Sequence, residues 1–203
     1  MTAATGATTG RCGLEVYPPA VGPIAVTREG NGPEILLVHG GASPEATWKG
    51  LAPLGARWTL ASVHRRGYPP SPPPVGAGQD FEVDADDIAP LLAARPHAIA
   101  HSYGVLGTLI AAARRPKDVR SLTLIEPPLY RLSPGDPEVK RLERIGDAVL
   151  VNGLDAEPQA LREFLRTAGA PGVDDGRSRR PWPTGYGALT AVVCPARLGR
   201  SLT

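Results

Sequence analysis

The stretch HAIAHSYGVLG, His97 to Gly107, breaks in two at its centre. His97 to His101 is a short apolar run of strand type, and a helix-compatible run starts at Gly104. Ser102 stands on the hinge between them. A tight strand-turn-helix at that point projects the serine hydroxyl from the end of a sheet, with the next N–H aimed at developing negative charge. Such a turn packs on itself and needs small residues two before and two after the serine. Those positions hold Ala100 and Gly104, giving A-x-S-x-G, one methyl group away from G-x-S-x-G.

The neighbouring segments extend the pattern. "GPIAVTREG" alternates and closes in the turn cluster "EGNGPE", where two antiparallel strands are expected to meet. "EILLVHGG" (34–41) is a continuous apolar run, typical of a strand buried on both faces. "PEATWKGLAPLG" predicts a short helix, and "RWTLASVH" (57–64) another strand. "RRGYPPSPPPVGAGQD" must be loop, since its prolines exclude helix and central strand. "FEVDADDIAPLLAA" predicts a helix whose early acidic residues suit the macrodipole. "GVLGTLIAAARR" predicts a helix and "DVRSLTLIEPP" a strand. Strands alternating with helices imply a doubly wound, mostly parallel sheet covered on both faces.

From Ser133 to Thr167 two amphipathic helices are expected, "DPEVKRLERIGDAVLVNG" and "DAEPQALREFLRTAG", with no strand after them before "GALTAVVCP". The chain divides into a flexible tail (1–20), a core (21–130), a helical segment (131–170) and an irregular basic tail (171–203).

The order of these features resembles the α/β-hydrolase fold family over roughly Ile24 to Tyr130. The resemblance implies a serine hydrolase of small ester or acyl substrates, with Ser102 as nucleophile. It implies the backbone N–H groups of Gly41, in "LLVHGG", and of Tyr103 as oxyanion donors. "HRRGYPPSP" is similar to the family's D-x-R-G-x-G-x-S loop, with His64 in place of the acid and a proline in place of the second glycine. Glu126 is a candidate catalytic acid, or equally a structural carboxylate. The helices from Asp136 to Thr167 resemble the start of a substrate-shaping lid. Trp48, Tyr103 and Leu129 are candidates for either pocket or core.

The family places its catalytic histidine after a late strand. The four histidines here are 39, 64, 97 and 101, none beyond the elbow. His101 adjoins Ser102, and adjacent strand residues face opposite sides, so it reads as packing. His39 reads as a turn-stabilising residue, and His97 begins its strand at the far end of the sheet. His64 ends a strand on the correct side and is the one outside candidate for a base. From Arg177 onward, 27 residues carry five arginines and no acid. That break suggests a truncated or frame-disrupted chain, whose sheet lacks its last strands and leaves an edge for an oligomer or another partner to cover. Weak or absent catalysis is the corresponding expectation.

The composition of the 203 residues narrows the alternatives. A net charge of +2, with no long Lys/Arg block, argues against nucleic acid. No apolar run approaches the ~20 residues of a membrane span, and the first residues lack signal-peptide character. Cys12 and Cys194 make no disulfide framework and no zinc-ligand spacing, so no metal or cofactor is expected, and cytoplasmic residence is. A vestigial binding module that keeps the pocket is the second reading. A nucleotide-binding domain is the third, and "HGGASPEA" lacks the G-x-G-x-x-G spacing that it needs.

Overall fold

The computed structural model describes residues 13–17, 22, 24–75, 78–152, 159, 162–163, 166 and 192–195. They fall into two units. The first comprises Met1–Pro73, Phe81–Pro127 and Ala191–Thr203, the second Pro74–Asp80 and Pro128–Thr190.

The first unit is built on seven strands: β1 (Gly13–Tyr17), β2 (Ile24–Gly30), β3 (Glu34–Val38), β4 (Thr59–His64), β5 (His97–His101), β6 (Ser121–Ile125) and β7 (Val192–Pro195), in the spatial order β1-β2-β4-β3-β5-β6-β7. The four central strands β4, β3, β5 and β6 are parallel to one another. β2 joins β4, β1 joins β2 and β7 joins β6, each antiparallel.

The parallel centre follows from β3, whose successive residues are apolar and buried on both sides. Leu36 and Val38 pack with Val63, Ala98 and Ala100 under α2 (Phe81–Ile88) and α3 (Gly104–Arg114). Ile35 and Leu37 pack on the other face with Leu60 and with Trp48 of α1 (Pro44–Trp48). Trp48 is therefore a core residue. α1 and α2 each tighten into a 3-10 turn at their C-terminal ends, Lys49–Ala56 and Ala89–Ala94, and both turns carry a proline, Pro53 and Pro90.

Three expectations require correction. The "EGNGPE" turn joins β2 to β3 without pairing them, because β4 lies between. A strand apolar on both faces needs two covered neighbours, and the turn closes instead on the start of β4, where the Thr59 N–H donates to the Pro33 carbonyl (3.0 Å). The stretch 1–20, read as tail, contains β1, in which "GLEVY" alternates and pairs in register with Ile24–Arg28. The basic stretch 171–203, read as irregular, contains β7, which covers the edge of β6 that was expected to stand open.

In the second unit, α4 (Pro137–Asn152) is the first of the two expected helices. Asp136 caps it, its carboxylate accepting from the N–H groups of Glu138 (2.8 Å) and Val139 (3.1 Å). The second expected helix lies largely outside the described residues.

Candidate active site

Ser102 adopts φ +50°, in the left-handed region that side-chain-bearing residues avoid at a cost of about 1–2 kcal/mol. Its backbone is held on both sides. The Ser102 N–H donates to the Ile125 carbonyl (2.9 Å), still part of the sheet, while its own carbonyl accepts from the Val105 N–H (2.9 Å), already part of α3. One residue thus ends the strand and begins the helix.

Two glycines make this turn possible. A Cβ on Gly104 would stand 2.2 Å from the His39 carbonyl oxygen, closer than any real contact. A Cβ on Gly40 would meet the Ser102 Cβ at 2.7 Å. The His39–Gly40–Gly41 turn after β3 and the elbow after β5 therefore interlock backbone to backbone. This brings Ser102, Tyr103 and the His39–Gly41 turn together.

The histidines divide by their partners. His39 is fully buried and set edge-on to Tyr68, with ring centroids 4.4 Å apart. The Arg65 N–H donates to its Nε2 (3.2 Å), so Nδ1 carries the proton and donates to the Gly40 carbonyl (3.0 Å). Burial, reinforced by the Arg65 cation, lowers its pKa to about 3, so it is neutral and structural. His64, the candidate outside base, is committed elsewhere: Nδ1 donates to the Pro69 carbonyl (2.9 Å) and Nε2 meets the Thr27 hydroxyl (2.8 Å). With both nitrogens engaged and the ring buried, His64 cannot serve Ser102. His97 bonds the Ser121 hydroxyl at the opposite end of the sheet (2.7 Å), its pKa lowered by burial and then by Arg120.

His101 packs edge-on toward Trp48 (6.4 Å), and its Nε2 lies 3.3 Å from Glu126 Oε2. Its Nδ1 is buried and has no hydrogen-bond partner among the described residues. Glu126 also has φ +50°, one residue past β6, and its side chain is half exposed. The candidate acid thus partners the histidine beside Ser102. Among the described residues no hydrogen bond joins a histidine ring to the Ser102 hydroxyl.

The sequence reading passed over the residues that brace the turn. Arg65 donates from Nε to the His39 carbonyl (3.0 Å), from Nη2 to the Gly40 carbonyl (2.7 Å) and from Nη1 to Asp84 Oδ2 (2.7 Å). The Tyr68 hydroxyl donates to the Gly41 carbonyl (2.8 Å). Arg66 grips Asp87 through two bonds of 2.8 Å and donates to the Gly22 carbonyl (2.9 Å). Asp84 and Asp87 were expected to complement a helix dipole; they are buried partners of adjacent arginines. Burial raises the Asp87 pKa against the opposing pull of Arg66. The readable signal was Arg-Arg after β4 set against Asp-x-x-Asp in α2.

The chain is similar to several known proteins. A 106-residue stretch is 39% identical to 2-(acetamidomethylene)succinate hydrolase of Mesorhizobium japonicum, covering 50% of this chain and 38% of that protein. A 172-residue stretch is 30% identical to pimeloyl-[acyl-carrier protein] methyl ester esterase of Methylococcus capsulatus, covering 78% and 65%. The chain thus spans less than two thirds of either relative. The crystal structure of an alpha/beta hydrolase from Sphaerobacter thermophilus superposes with a TM-score of 0.52 at 28% identity, over 75% of this chain and 65% of that one. No helix among the described residues is long and apolar enough to cross a membrane. Residues 35–201 match the Alpha/beta hydrolase family, a span that takes in the elbow, its bracing turn and the basic stretch with β7, and the chain belongs to that family.

Proposed function

We propose that the site performs serine-based hydrolysis of a small ester, amide or related acyl substrate. The observation that carries this reading is the left-handed Ser102 packed against Gly40, in an elbow whose Gly104 packs against the His39 carbonyl. Backbone strain that is held by close packing on both sides is a mark of a functional position. Ser102 Oγ attacks the acyl carbon, and its proton passes to a base. The N–H groups of Gly41 and Tyr103 hold the oxyanion, and its collapse expels the alcohol or amine. Water then releases the acid and restores the serine. The names of the two curated relatives, one a hydrolase and the other a methyl ester esterase, support the acyl class.

Among these residues the base is the weak point, because His39, His64 and His97 have other partners. We therefore place the activity of this chain near what an oxyanion hole and binding give by themselves, ~10³–10⁴ over water in a related triad system. Glu126 keeps its place as candidate acid through its contact with His101. The rival reading, a non-catalytic binding module, draws on the same engaged histidines.

Mass spectrometry after fluorophosphonate treatment separates the two readings. An adduct on Ser102, absent in Ser102→Ala, is the expected result. Folded protein that carries no adduct would mean a hydrolase scaffold without hydrolase chemistry and would overturn the proposal.

A further inference from the structure

The two loops that carry the proposed oxyanion donors meet at one buried side chain. Three consecutive carbonyls, of His39, Gly40 and Gly41, each accept a hydrogen bond: the first two from Arg65, the third from the Tyr68 hydroxyl. In a trans peptide the carbonyl and the following N–H point in opposite directions. The Gly40 carbonyl is turned toward the guanidinium, so the Gly41 N–H of the same peptide unit is turned away from it. A Gly-Gly turn has almost no conformational preference of its own, and its orientation must be imposed from outside. The guanidinium does this with a rigid fork, itself anchored by Asp84, with both side chains almost fully buried. Its Cζ also lies 4.7 Å from the centre of the Tyr103 ring, the side chain of the second donor residue.

Resting on the assignment of Ser102 and Gly41 above, we infer that Arg65, anchored by Asp84, is the positioning residue that sets the oxyanion hole. It fixes the direction of the Gly41 N–H through the carbonyls of the turn and braces Tyr103 through its ring. It touches no substrate and transfers no proton. Arg66 supplies a control from the same molecule: an adjacent, equally buried arginine paired with an aspartate of the same helix, whose fork holds Asp87 and Gly22.

The test compares Arg65→Lys with Arg66→Lys in fluorophosphonate labelling of Ser102, resolving the maximal rate (kinact) from the binding constant (KI). Both variants weaken a buried pair, so both are expected to lower Tm. Arg65→Lys is expected to lower kinact on the order of 10²-fold with KI nearly unchanged, as for loss of one oxyanion donor. Arg66→Lys is expected to leave kinact as it was. Equal falls in kinact for both variants, or none for either, overturn the inference. If Arg65→Lys does not fold, Tyr68→Phe removes one bond to the same turn and is expected to cost roughly fivefold in kinact; an unchanged kinact there overturns the inference.

If the parent protein is not phosphonylated at all, the nucleophile reading falls, and the positioning role is read from amide NMR. Movement of the Gly40 and Gly41 resonances in Arg65→Lys but not in Arg66→Lys then supports it. Identical spectra in that region overturn it.

Discussion

Ser102 and Glu126 follow paired parallel strands and share φ +50°, yet they are held in different ways. Ser102 is clamped from both sides. Gly40 packs against its Cβ and Gly104 against the His39 carbonyl, each at a distance that admits no added Cβ, and hydrogen bonds tie its backbone to both the sheet and the helix. Glu126 is half exposed and runs into Pro127 and Pro128, and its carboxylate meets His101 at 3.3 Å. Equal torsion angles therefore do not mean equal commitment. One residue is over-determined by the surrounding fold, while the other sits at a strand exit shaped largely by its own neighbours.

The clamp is the place to break this contrast. Gly104→Ala puts a methyl group 2.2 Å from the His39 oxygen, an overlap that no rotamer relieves. We expect a loss of about 3 kcal/mol or more in denaturant unfolding and no fluorophosphonate adduct on Ser102. A small change in both would show that the interlock is soft.

A pH titration of stability tests the turn from another side. His39 binds its proton in the folded state only near pH 3, whereas in the unfolded chain it does so near 6.5. The unfolded state then holds more protons between these values, so stability falls as pH drops from about 6.5 toward 3. The loss is about 3 kcal/mol by pH 4, and His39→Gln should flatten that part of the profile. Asp87, with its raised pKa, works in the opposite direction and favours the fold in acid. A profile equally steep in both proteins would place the acid sensitivity elsewhere.

The smallest effect sharpens the comparison. Ser102→Gly removes left-handed strain and should stabilise by about 1 kcal/mol while abolishing labelling, the trade-off of a strained functional residue. Glu126→Gly relieves the same angle and should leave labelling in place, with a smaller gain because its half-exposed contact with His101 is lost. Thermal melts with labelling on the same samples read both quantities. Loss of labelling in Glu126→Gly would promote Glu126 from neighbour to participant.

The sheet and the elbow were legible because both are local patterns. A doubly apolar run marks a central strand, and small residues at fixed offsets mark a turn that must pack on itself. The roles of Arg65, Tyr68 and Asp84 were harder to read, since only the Arg-Arg and Asp-x-x-Asp pattern marks them in the sequence. Their bonds cross 19 to 27 residues of chain, and those to the His39–Gly41 turn are made to carbonyls, which leave no trace in side-chain periodicity. Asp84 and Asp87 resembled ordinary solvated acids on an early helical turn because the partners that bury them lie in a loop. β1 was missed for a related reason: a short strand recruited by the edge of a sheet shows in pairing before it shows in composition.

The backbone contact between Gly40 and Ser102 also bears on folding order. The two residues are far apart in the chain and meet only when β3 and β5 lie side by side, a non-local parallel pairing of the kind that forms slowly. Under the proposed role of Ser102, its reactivity is expected to arise with the central sheet and not before it. During refolding, a pulse of serine-directed reagent would serve as a clock for the moment at which the middle of the molecule closes.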